Sequence, residues 1–110
     1  MKDEKIYIEQ MLDSVAKIES FVGSLDREGF LSDAKTQSAV IMQLTVIGEL
    51  VKKLSTKIKE KADLPWKEIA GFRDRAIHHY FGMDLGVIWD TVVMDVPVLK
   101  GELVKLNGVL

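Results

Sequence analysis

Between Arg73 and Tyr80 the chain reads RDRAIHHY, and this stretch holds both of its histidines together with two arginines, an aspartate and a tyrosine. An imidazole exchanges protons near neutral pH. A guanidinium is a fixed cation whose planar fork matches phosphate or carboxylate oxygens. A phenol adds a hydroxyl that can donate, accept or be modified. Together these are the groups required for proton transfer at a phosphate or acyl centre.

Spacing decides which of them can work together. On a helix, Ile69, Phe72, Ala76 and Tyr80 fall within one arc and Arg73 lies at its edge. A guanidinium beside an apolar face requires an anion to meet it. Asp74 and His78 are four apart, so the carboxylate can hold one imidazole nitrogen and orient the other. Arg73 and His78 are five apart, roughly 140° around a regular helix. They converge only if the helix ends near His78, which Gly82 favours, or if a second subunit supplies one of them.

The elements that must position this stretch are all predicted as helices. Ile8, Met11, Leu12, Val15, Ile18, Phe21 and Val22 recur at three- and four-residue steps, which predicts an amphipathic helix from Asp3 to Val22 closed by Gly23. A loop-like run, GSLDREGF, follows, with Phe30 and Leu31 as plugs into the core, and Ser32 or Asp33 caps the next helix. That second helix is expected from Asp33 to Lys61. Val40, Leu44, Ile47, Val51, Leu54 and Ile58 form one stripe, with Ala39, Met42, Val46 and Leu50 beside it. So wide an apolar face asks for several partners, one of which can be another copy of the chain. Gly48 sits where a missing side chain lets another backbone approach, and Glu49 beside it is an unexpected charge. The lysines between Lys52 and Lys61 read as a solvated helix end that suits the dipole.

Pro65 and Trp66 start a third helix that leads into the motif, and Tyr80-Phe81-Gly82 ends it. Asp84 caps a fourth helix, Pro97 kinks it or begins a fifth, and Asn107-Gly108 closes the tail. Nothing reads as a strand. The expectation is an all-α, up-down four-helix bundle with a broken last helix, forming a single domain over residues 1–110.

Composition narrows the functions available. The chain has no cysteine, which excludes disulfides, thiolate catalysis and cysteine-ligated zinc. Two adjacent histidines do not make a closed metal site, so neither metal nor cofactor is expected. No window approaches the ~18 apolar residues of a spanning helix, and the charged start MKDEKIYIEQ lacks a signal region, so the expected location is the cytoplasm, with no membrane partner. A net charge of −2 argues against non-specific gripping of long nucleic acid and confines any such contact to a local patch.

Arg73, four residues, His78, one residue and Tyr80 resemble the Arg-x4-His-x-Tyr signature of the HEPN superfamily, and specifically the HepT-like (DUF86) toxins. The Ile47-Gly48-Glu49 segment in a long helix, Trp66 at the start of the motif helix, and Tyr80-Phe81-Gly82 before an apolar helix extend the likeness over most of the chain. One departure is Asp74, where the family often has asparagine. It adds a negative charge that can weaken substrate binding or raise the basicity of His78.

The resemblance implies a homodimeric helical bundle in which two motifs meet at the subunit interface and cleave RNA without a metal. Arg73 and His78 would be catalytic, with Asp74, Arg75 and His79 orienting or binding substrate. It also implies a toxin–antitoxin pair, in which a minimal nucleotidyltransferase (MNT) antitoxin neutralises the toxin by moving AMP from ATP to Tyr80. Taken singly, Arg75 reads as a solvated helix charge, His79 as a packing or surface histidine, and Tyr80 equally as a core aromatic with a wet hydroxyl. The alternative function is a non-catalytic subunit that presents nucleotide or substrate to a partner nucleotidyltransferase.

Overall fold

The computed structural model describes residues 3–110, and every regular element among them is helical. The long helices are α1 (Lys5–Val22), α3 (Ala34–Val51), α5 (Trp66–His78) and the final stretch formed by α6 (Leu85–Asp90) and α7 (Val96–Val109). Short helices α2 (Arg27–Leu31) and α4 (Thr56–Lys59) lie in the connections. α3 packs against both α1 and α5, and α1 also packs against α7. This is the all-α bundle expected from periodicity, with its last helix broken.

The core follows the predicted stripes. Ile8, Met11, Val15 and Ile18 of α1 are completely buried, as are Val40 and Val51 of α3 and Leu103 of α7. Phe30 is buried too and stacks at 5.4 Å against Trp89 of α6, which anchors α2 to the bundle. Its neighbour Leu31 is exposed, so only one of the two expected plugs enters the core. Phe21 is likewise on the outside, although it lies on the predicted apolar face of α1.

The second helix is shorter than expected. α3 stops at Val51, where Lys53 and Leu54 donate to carbonyls three residues back, tightening the last turn. Ser55 is extended, and its hydroxyl accepts from the Ile58 amide, so it caps α4 as a new start. Its own amide donates to Glu4 Oε1 at 2.6 Å. Leu54 and Ile58 stay buried across the break, which is why the spacing reads as one continuous helix.

Pro65 stands at the N-terminal boundary of α5, and the Trp66 indole donates to the carbonyls of Lys59 and Ala62, tying α5 to the end of α4. The expected break near Pro97 begins earlier, as a π turn over Thr91–Asp95 in which the Val96 amide reaches the Thr91 carbonyl, five residues back. Pro97 then sits in the first turn of α7, where its missing amide is tolerated. Asn107 and Gly108 do not end that helix, which continues to Val109. Among the described residues no helix is long and apolar enough to cross a membrane.

Candidate active site

The crossing of α3 and α5 sets the geometry. A Cβ on Gly48 would lie 2.9 Å from the Ile69 carbonyl oxygen and 3.1 Å from Arg73 Cβ. The bare glycine therefore brings α5 close enough for charged side chains flanking the crossing to meet. The close approach expected of Gly48 is made by α5 itself.

Arg73 leaves the edge of the buried Phe72–Ala76 face, as its place on the helix requires. Its Nε lies 2.8 Å from Glu49 Oε2, and its Nη1 lies 3.1 Å from Asp74 Oδ1. The same Asp74 oxygen accepts from Lys52 Nζ at 2.8 Å. The guanidinium thus has the anions it needs, and its Nη2 has no protein acceptor among the described residues. Asp74, followed by Glu49, holds Arg73 above its ordinary range. Lys52, followed by Arg73, holds the Asp74 carboxyl below its usual value.

His78 is exposed and is the last residue of α5. His79 closes the helix with its amide on the Arg75 carbonyl and adopts a non-helical backbone. The helix stays regular through His78, so Arg73 and His78 remain on different faces of one protomer. The Asp74–His78 hydrogen bond suggested by their spacing is not formed, because Asp74 is engaged by Lys52 and Arg73.

Tyr80 belongs to a 3-10 turn, Tyr80–Gly82, and its hydroxyl lies 3.1 Å from Ser38 Oγ on α3. It is partly exposed and so does not join the apolar arc of α5, and Phe81, edge-on to it at 5.5 Å, is fully exposed. Arg75 and His79 lie elsewhere. Both line a cleft of about 340 Å³ shared with Phe72, Asp84 and Thr91, and the Arg75 guanidinium lies 5.6 Å from the Phe72 ring centroid.

Two residues of the Arg73 cluster escaped the motif itself. Glu49 stood out as a charge in an apolar stripe and within the Ile47-Gly48-Glu49 likeness, but not as a partner of Arg73, and Lys52 was hidden among lysines that read as a solvated helix end. Ser38 gave no sequence signal.

The arrangement can hold an anion at Arg73 and move a proton at His78. Comparison with known proteins points the same way. The family described as ribonuclease HepT-like matches residues 11–106. The chain is 42% identical over 107 residues to "Probable ribonuclease HepT" of Thermococcus cleftensis, covering 96% of this chain and 97% of that one. It is 41% identical over 106 residues to "Gamma-glutamylcyclotransferase and putative RNase" of Methanocaldococcus jannaschii, covering 96% of this chain and 48% of that protein, about half its length. A "Putative RNase" of the same organism is 42% identical over 97 residues, covering 87% of this chain and 80% of the relative. No solved structure matches.

Proposed function

The chain belongs to the ribonuclease HepT-like family, and from that premise we propose that it is a metal-independent endoribonuclease acting as the toxin of a toxin–antitoxin pair. The observation that carries the reading is Arg73, a partly exposed guanidinium held at the α3–α5 crossing by Glu49 and Asp74, with no acceptor for its Nη2 among the described residues, while His78 stands in solvent five residues on.

In this reaction the 2′-hydroxyl attacks the adjacent phosphate as the bond to the leaving 5′-oxygen breaks. His78 takes the hydroxyl proton and Arg73 binds the charge gathering on the phosphorane oxygens. The leaving oxygen needs a proton of its own, and the second copy of His78 in a homodimer delivers it. Dimerisation also lets Arg73 of one protomer meet His78 of the other, which the regular α5 forbids within one chain. Met42, Ile77 and Phe81 support a second copy, since they leave apolar surface in water beside this site.

Tyr80 is the regulatory acceptor. A minimal nucleotidyltransferase antitoxin transfers AMP from ATP to the phenol oxygen with release of pyrophosphate, placing a bulky anion where RNA phosphates must enter.

Purified protein is expected to cleave single-stranded RNA in EDTA, and His78→Ala to abolish cleavage while retaining the wild-type melting curve. Cleavage that survives His78→Ala removes the assignment. The other reading, a non-catalytic subunit serving a nucleotidyltransferase, is favoured by the carboxylate already lodged on Arg73. It requires binding of that partner with RNA left uncut. Intact mass after co-expression with a candidate nucleotidyltransferase should show added AMP that is absent in Tyr80→Phe.

A further inference from the structure

We propose that Lys52 and Arg73 form a two-cation phosphodiester site, and that Asp74 is its built-in competitor. The inference rests on the ribonuclease reading for its ligand class and extends it to a residue outside the motif.

A single oxygen, Asp74 Oδ1, accepts from Lys52 Nζ at 2.8 Å and from Arg73 Nη1 at 3.1 Å. Two cations converging on one anionic oxygen is the geometry a phosphate oxygen adopts between a lysine and an arginine. The three side chains are partly open to solvent, so an incoming phosphate can reach the cations and the carboxylate can swing away. Glu49, on the Nε edge of Arg73, keeps the guanidinium at the α3–α5 crossing when Asp74 leaves. The lysine stands at the C-terminal cap of α3 and the arginine on α5, and the Gly48 contact fixes the distance between those helices.

Removing Asp74 should therefore raise affinity, because RNA no longer displaces a bound carboxylate. Removing Lys52 should lower affinity and lower its salt dependence, since one fewer counterion is released.

The test uses the His78→Ala protein, which can bind without cutting, and a fluorescein-labelled single-stranded RNA followed by anisotropy across a salt series. Lys52→Met is expected to weaken binding about fivefold near 0.1 M salt and reduce the slope of log K against log salt by about one. Lys52→Arg should restore both, and Asp74→Asn should tighten binding several-fold. An unchanged slope in Lys52→Met, unchanged affinity in Asp74→Asn, or no RNA binding by the parent protein overturns the proposal. Cleavage by the unsubstituted chain is scored separately. Cleavage with no effect at Lys52 or Asp74 removes this site alone, whereas the expected binding shifts without cleavage keep the site and remove the nuclease.

Discussion

Asp74 and Asp33 both ionise more readily in the fold than in a free chain, for different reasons. At Asp33 the largest cause is the Thr36 amide, which donates to its carboxylate at 3.0 Å as the cap of α3. At Asp74 it is the Lys52 ammonium. A carboxyl whose folded value is depressed stabilises fully above its unfolded value, here 3.8, and loses that contribution as pH falls through the lower folded value. Melting temperature should therefore drop on acidification below about pH 4. The Asp33→Asn and Asp74→Asn double variant should show a shallower drop over the same interval, and equal slopes would remove the linkage. At neutral pH, Asp33→Ala should lower the melting temperature by about 5 °C, and Asp33→Ser should recover most of it.

Among the elements, the closest constraint is the α3–α5 crossing. Gly48→Ala drives a methyl group against the Ile69 carbonyl, which is backbone and cannot rotate aside. The expected loss is about 1–3 kcal/mol by chemical denaturation, with RNA binding impaired in the fraction that remains folded. Wild-type stability in this variant would show that the helices separate freely. The sequence carried this glycine, because a bare position in a broad apolar stripe has few other uses. It also carried the caps at Asp33 and Asp84, whose carboxylates do accept the first-turn amides. It misled between Val51 and Thr56, where buried Leu54 and Ile58 keep helical spacing through a turn that periodicity cannot register. The Lys52–Asp74 pair was illegible for another reason. It joins the residue that caps α3 to one on α5, 22 positions away, and no local pattern fixes which lysine of the cluster faces the crossing.

For the whole molecule, the unresolved demand is that residues on separate faces of one helix act on one phosphate. If a dimer meets it by pairing Arg73 of one protomer with His78 of the other, two inactive variants should complement each other. Arg73→Ala mixed with His78→Ala, after subunit exchange, is expected to recover a detectable fraction of wild-type cleavage, below about a quarter, because half the dimers are mixed, each keeps one Arg73–His78 pair, and water must replace the missing second His78 at the leaving oxygen. No recovery with exchange demonstrated would place the two groups in the same protomer or in no shared cleft.

The wide turn at Thr91–Asp95 holds one residue more than ordinary winding needs, and the helix on either side keeps its register across it. Deleting one residue there should restore ordinary winding with α7 still facing α1, so that Val96, Leu99, Leu103 and Leu106 stay buried. Deleting one residue inside α7 instead would rotate everything downstream by about 100° and carry the rest of that apolar row toward water. A one-residue loss should therefore be tolerated at the turn and not beyond it, which the melting curves of the two deletion variants would show.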